Sequence, residues 1–406
     1  MHTDSEQRLI EEIVTQTVDE ISVANHFTFR VPPLAIVGDG VAARTGDELQ
    51  RLKATRVLIV TDTALIDLGL LSGVLRSMQR RGLAFELFAQ INGEPTWDMV
   101  TNGAAAFQQS RCDAVLAFGG GSPIDAAKMI AVLARNPLPF AEMDQTSDLK
   151  QGRPPLAAMP TTAGTASEVT DLAVIGEPAG GRKVVFEHPA LVPDLAIIDP
   201  LLTVGLPPKV TAATGIDVLT HAIEAYVARS SCTLARALSY RAIRLVATYL
   251  PIAAGYGSNV LARHKMAVAC YMAGMAFSNA GLGLCHAMAH PLGGRYKIAH
   301  GNANALLLQH VMRYNLMVRI DEFADVALAL GERVENLSKR EAAESAVTAT
   351  ARLIQDLGLP THLRDFGVTA QELPPLAEFA LRDSCLRTNP RSAQKEEIIE
   401  IYQQAL

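Results

Sequence analysis

Apolar positions fall in two rhythms along this chain. Up to about residue 205, short apolar runs such as "RVLIVTD" (56–62), "DAVLAFGGGS" (113–122) and "DLAIIDP" (194–200) alternate with helical spacing, as in "GLLSGVLRSMQRRG" (69–82). Near-continuous apolar runs that end in a Gly or Asp turn suit strands buried on both faces, so they predict a parallel sheet covered by helices on both sides. After "GLPPK" (205–209) the strand signals stop, and Ala-rich and Leu-rich helical spacing continues almost to the end. The Pro pair marks a boundary. The pattern predicts an α/β domain over 27–205 and an all-helical domain over 206–406.

The first 26 residues carry a rhythm of their own. Leu9, Ile10, Ile13, Val14, Thr17, Val18 and Ile21 form one apolar stripe opposite Glu11, Glu12, Gln16, Asp19 and Glu20, and "TDSE" (3–6) has the form of a capping box. A short amphipathic helix is expected there. It suits docking on its own domain or a dimer partner, and it also resembles the short helical peptides that target a chain to a bacterial microcompartment.

From Ala267 nearly twenty residues are small or apolar. A spanning helix needs about 20 uninterrupted apolar residues, whereas Asn279, several glycines and His286 and His290 interrupt this run. Buried helices are expected, and no membrane span. With 406 residues, 49% hydrophobic and 19% charged, the chain can build two real cores. A net charge of -6 leaves no basic stripe for nucleic acid. The acidic start lacks the basic and apolar blocks of a secretory signal, and the five cysteines show no paired spacing, so a cytoplasmic location is expected.

Candidate chemistry falls into two groups. "GGGSPIDAAK" (119–128) follows an apolar run and opens a helical pattern, so its glycines stand where backbone N–H groups at a helix N-terminus can face a phosphate. Asp62 ends the run "RVLIVTD", a place suited to a ribose diol or to capping the next helix. "MPTTAGTASEVT" (159–170) adds hydroxyls and small residues in one loop. The second group begins with Asp217 and His221 in "TGIDVLTHAIEAY" (214–226), at i and i+4 on one helical face. It continues with His286, His290 and His300 in "GLGLCHAMAHPLGGRYKIAHG" (281–301). Four imidazoles and one carboxylate in apolar surroundings leave many polar atoms to satisfy, and a divalent cation takes up their lone pairs. Spacing alone leaves open which imidazole is spare.

Together these motifs, with the stretch "GLGLCHAMAHPLGGRYKIAHGNANALLLQHVMRYN" (281–315), resemble the iron-containing, group III alcohol dehydrogenases from about residue 27 to the end. Among its branches the chain is similar to the lactaldehyde:propanediol oxidoreductases and, more closely in "GLGLCHAMAH" and "LRTNPRSA" (386–393), to the alcohol dehydrogenases of ethanolamine utilization. The resemblance implies a dehydroquinate-synthase-like fold, an α/β dinucleotide-binding domain followed by an all-α domain, with cofactor and metal in the cleft between them. By motif position it makes Asp217, His221, His286 and His300 the metal ligands and His290 the spare imidazole beside the substrate. It places NAD(H) on Asp62, Gly119, Gly120, Gly121, Ser122, Asp125, Thr161, Thr162, Thr165 and Lys183. The resemblance implies Fe2+ as the metal, with Zn2+ the alternative.

Leu172, Phe277 and Cys385 fall at substrate-pocket positions of the diol-specific relatives, where an Asn stands in place of Leu172. Losing that amide removes a partner for a second hydroxyl, so a short unsubstituted alcohol or aldehyde is expected and a 1,2-diol is the alternative. A metal-dependent synthase on the same scaffold would need further basic residues for a phosphate ester, and only Lys183 matches. The family implies a homodimer or larger homo-oligomer. The stripe over residues 5–22 implies a microcompartment shell or cargo partner.

Overall fold

The computed structural model describes residues 27–32, 34–143, 149–177 and 183–406; the stripe, capping box and targeting reading of residues 1–26 lie outside the described residues. Eight strands occur among them: β1 (Ala35–Val37), β2 (Arg56–Val60), β3 (Ala84–Phe88), β4 (Ala114–Gly119), β5 (Leu156–Pro160), β6 (Leu172–Gly176), β7 (Lys183–Glu187) and β8 (Leu195–Ile198). Six make one sheet in the order β1-β8-β5-β4-β2-β3, parallel throughout, while β6 and β7 form a separate antiparallel hairpin.

Helices α1 (Thr45–Arg51), α2 (Thr63–Asp67), α3 (Ser72–Arg80), α4 (Trp97–Gln109) and α5 (Gly121–Leu133) connect the strands. The two-residue period of a strand sends alternate side chains to opposite faces. Accordingly, Val57 and Ile59 pack with Leu49, Val74 and Met78 on one side. Leu58 and Val60 pack with Val100, Phe107 and Ile130 on the other. From β2 the chain steps outward to β3, then returns to β4 on the opposite side and continues to β5 and β8. That reversal opens a crevice at the C-terminal ends of β2 and β4, the place where ligands enter open α/β sheets. Asp62 and Gly120 follow those two ends.

Beyond β8 the described chain has no strand. It continues as α6 (Pro208–Val227), α7 (Thr233–Gly255), α8 (Val260–Ala280), α9 (Leu284–Tyr296), α10 (His300–Asn315), α11 (Ile320–Leu330), α12 (Lys339–Asp356), α13 (Leu373–Arg382) and α14 (Lys395–Ala405). Among the described residues no single helix is long and apolar enough to cross a membrane; α8 and α9 pass that test only as a pair bent by 106°. The bend has a steric cause. Gly281 between them holds a φ of 76°, and a Cβ there would stand 2.5 Å from Thr388 Oγ1.

Candidate metal centre and cofactor cleft

Asp217 and His221 project from consecutive turns of α6, His286 from the first turn of α9, and His300 from the start of α10. Their ligating atoms all lie within 4.8 Å of one another. Asp217 Oδ1 is 3.7 Å from His221 Nε2, 3.7 Å from His286 Nε2 and 3.6 Å from His300 Nε2. Two donors that share one cation at about 2.1 Å with near-tetrahedral angles stand roughly 3.4 Å apart, so this donor set fits a divalent ion.

The electrostatics agree with that fit. Burial opposes the charge of Asp217, yet His221, His300 and His286 outweigh it and hold the carboxyl well below its usual range. Burial pushes His221 down to about 4, against the pull of Asp217. A carboxylate among neutral imidazoles is the protonation state that a metal site needs. His286 behaves differently: burial would lower it, but Glu224 and Asp217 together raise it to about 9.

A second layer explains that difference. Glu224, one turn beyond His221 on α6 and buried, accepts from His286 Nδ1 at 2.6 Å and from the backbone N–H of Cys285 at 2.7 Å. A carboxylate behind a ligating imidazole fixes its tautomer and raises its basicity. Gly283 makes the approach possible, since a Cβ there would lie 2.8 Å from Glu224 Oε1. From α10, the Asn304 amide donates to Asp217 Oδ1 at 2.7 Å.

His290, one turn further along α9, does not join the four-residue cluster. Its Nδ1 is 2.7 Å from Asp383 Oδ2, and its ring stacks on His300 with centroids 5.5 Å apart. Burial works against the Asp383 charge, but the bond to His290 prevails and lowers the carboxyl to about 2.

The opposite wall is built from backbone. Gly120 caps α5 without any side-chain hydrogen bond, which leaves the helix N-terminus open to an anion. Gly119, with a φ of 152°, turns the chain where a Cβ would stand 2.6 Å from Pro123 Cγ. Thr162 and Thr165 pack against Gly120 and Gly121, and Thr161 sits buried at the end of β5, its N–H bonded to Gly119 O at 2.9 Å. Asp62 caps α2 with one oxygen, accepting from Leu65 N–H at 2.9 Å, so its capping reading holds. Asp125 braces the loop, accepting from Ser167 Oγ at 2.5 Å and from Val174 N–H at 2.9 Å. Lys128, fully buried, donates to the carbonyls of Thr170 and Leu172 at 2.9 and 2.7 Å. Lys183, on β7, pairs with Glu94.

One cleft of about 230 Å³ is lined by Gly121 and Ser122 on one side and by Asp217, His221, His286 and His300 on the other. Leu172, Phe277, Cys385, His290 and Lys183 also face it. Residues 32–200 match the model described as iron-containing alcohol dehydrogenase, and residues 211–406 match the C-terminal model of the same family. The chain belongs to the iron-containing alcohol dehydrogenase family. Its reaction class is therefore oxidoreductase, between alcohols and aldehydes. The chain is 42% identical over 397 residues to the probable alcohol dehydrogenase EutG of Escherichia coli K12, covering 98% of this chain and 99% of that one. It is 42% identical over 371 residues to lactaldehyde reductase of the same strain, covering 91% and 96%. A crystal structure of 1,3-propanediol oxidoreductase superposes with a TM-score of 0.91 at 40% identity, covering 94% of this chain and all of that one.

In this iron-containing alcohol dehydrogenase, sequence reading brought the four donors and the glycine turn to one cleft but passed over Glu224, Asn304 and Asp383. The first two carried a usable signal. Glu224 lies seven residues after Asp217, and Asn304 four after His300, so each shares a helical face with a donor. Asp383 had none, since 93 residues separate it from His290.

Proposed function

We propose that this chain interconverts short-chain primary alcohols and aldehydes of the ethanol and acetaldehyde type, with NAD(H) as hydride carrier and Fe2+ as resident metal. The observation that carries the reading is the single cleft in which an open helix N-terminus faces a buried three-histidine, one-carboxylate donor set. Bound there, Fe2+ supplies Lewis acidity to the substrate oxygen and the nicotinamide supplies or accepts the hydride; Zn2+ suits the same donors.

Asp217, His221, His286 and His300 hold the metal, and Glu224 orients His286. Gly119, Gly120, Gly121 and Ser122 take the cofactor phosphates, with Asp125, Thr161, Thr162, Thr165 and Lys183 around them. The Asp62 oxygen not engaged in capping accepts from a ribose diol and repels a 2′-phosphate, which selects NAD(H) over NADP(H). His290, outside the donor set, takes the substrate proton during alcohol oxidation and returns it during reduction. Leu172, Phe277 and Cys385 bound the substrate with apolar or weakly polar surface, which favours an unsubstituted alkyl group. The likeness to lactaldehyde reductase and 1,3-propanediol oxidoreductase supports the diol alternative.

The enzyme works in the cytoplasm as a homodimer or larger homo-oligomer, and the apolar stripe over residues 5–22 directs it to a microcompartment shell or cargo partner. Deleting residues 1–22 is expected to abolish co-purification with compartment shells. For the reaction, purified enzyme with acetaldehyde is expected to consume NADH rapidly and NADPH poorly, to stop after chelation and to recover with Fe2+. Chelator-insensitive turnover would overturn the metal assignment, and equal rates with NADPH would overturn the role of Asp62.

A further inference from the structure

His290 lies one helical turn from His286, yet each ring has its own carboxylate. For His290 it is Asp383, the residue that ends α13. Asp383 Oδ2 stands 2.7 Å from His290 Nδ1, and its Oδ1 accepts from the backbone N–H of Cys385 at 2.9 Å. The carboxylate is thus pinned by main chain and cannot follow the ring. A carboxylate that accepts at Nδ1 requires a proton on that nitrogen, which leaves Nε2 as the one ring atom free to exchange a proton in the cleft. Asp383 itself does not line the cleft. It lines an adjoining cavity of about 730 Å³ that also touches His290, Lys183 and Arg382. The imidazole therefore stands in the partition between the two spaces, with its carboxylate on the far side.

We propose that Asp383 is the positioning residue for His290: it fixes the Nδ1–H tautomer and the ring plane so that Nε2 faces the substrate oxygen. The same hold keeps His290 out of the cation's donor set, although its ring centroid is only 6.1 Å from that of His286 and 5.5 Å from that of His300. Asp383 touches neither substrate nor cofactor. This inference rests on the reading of His290 as proton carrier, and the experiment separates the two.

Asp383→Asn keeps the volume but can present an amide N–H to Nδ1, which favours the wrong tautomer. It is expected to lower kcat for acetaldehyde reduction about 10²-fold or more, within the range that general acid–base catalysis supplies, with KM for NADH and bound metal unchanged. In a His290→Ala background the same substitution is expected to change nothing further. Nitrogen-15 spectra of histidine-labelled protein provide a readout apart from turnover. The His290 signal, identified by its loss in His290→Ala, is expected to show Nδ1–H in the wild type and to lose it in Asp383→Asn. Equal fold-losses in both backgrounds, or an Nε2–H tautomer in the wild type, would overturn the proposal. If His290→Ala alone keeps wild-type kcat, the proton-carrier reading falls, and the tautomer still decides whether Asp383 sets the ring.

Discussion

The two walls of the cleft solve their recognition problems by opposite means. The helical wall presents side chains in nested layers: Asp217 with three imidazoles, then Glu224 behind His286 and Asn304 behind Asp217. The sheet wall presents main chain at its glycine turn, where there is no room for a side chain; a Cβ on Gly121 would stand 2.7 Å from Thr165 Cγ2. A cation is held by lone pairs that few residue types offer, whereas a phosphate is held by N–H groups that nearly every residue has. On one wall identity is selected by what must be present, on the other by what must be absent. Substitutions on the helical wall should therefore erase chemistry, and those on the sheet wall should degrade geometry.

The largest effect should come from the donors. His286→Ala is expected to lose the metal on dialysis and to drop kcat at least about 10³-fold, because Lewis-acid stabilisation supplies several kcal/mol. His290→Ala, one turn away, is expected to keep full metal content while losing about 10² to 10⁴ in rate, the range of general acid–base catalysis. Metal analysis and steady-state rates on both variants check the division; equal metal loss would erase the line drawn between donor and proton carrier.

The layer behind the donors gives the next effect. Glu224→Gln is expected to weaken metal binding about 10- to 100-fold, measured by competition with a chelator. It should also change the pH dependence. In the metal-free protein Glu224 and Asp217 raise His286 to about 9 against burial, so the ring carries two protons at neutral pH. Metal must displace the proton on Nε2. Affinity is therefore expected to rise with pH up to about 9 and then level off, with a proton released on binding at pH 7. Without the Glu224 charge the plateau should begin at lower pH. A pH-independent affinity would contradict this account.

The same comparison explains what the sequence could show. Residue types that carry chemistry advertise themselves, so Asp217, His221, His286, His300 and the glycine turn were legible, and the parallel sheet followed from runs such as "RVLIVTD". Carboxylates that serve another residue look like any surface acid. Glu224 stands among helix-forming neighbours with nothing to mark it except its face, and Asp383 becomes meaningful only when α13 closes onto α9. Lys128, the last residue of the motif "GGGSPIDAAK", spends its ammonium on the loop carbonyls of Thr170 and Leu172. The β6–β7 hairpin was also missed. Its two runs flank "EPAGGR" (177–182), whose Pro and Gly pair signal a turn but which is longer than the two- to five-residue connections that mark a hairpin.

On the sheet wall, Gly121→Ala forces a methyl group into Thr165 at the 2.7 Å contact. Overpacking of this kind costs about 1–3 kcal/mol, shared between the loop and the cofactor site. KM for NADH is expected to rise about tenfold while metal content stays at the wild-type level, which titration of NADH fluorescence and metal analysis can read side by side. Metal loss in this variant would show that the two walls are not separable.

The smallest effect should appear where the walls meet the substrate. Leu172 opens β6, with its carbonyl held by Lys128 and its side chain lining the cleft near Phe277. Leu172→Asn leaves that backbone bond in place and adds one amide. A net hydrogen bond contributes about 0.5–1.5 kcal/mol, so the ratio of kcat/KM for 1,2-propanediol over ethanol is expected to rise roughly three- to tenfold, with metal content and KM for NADH unchanged. The ratio matters more than either rate, because a polar group in an apolar lining also lowers turnover of ethanol. A wild type already indifferent between the two alcohols would mean that Leu172 does not set substrate choice, and the apolar lining would then be read as packing of the cleft wall.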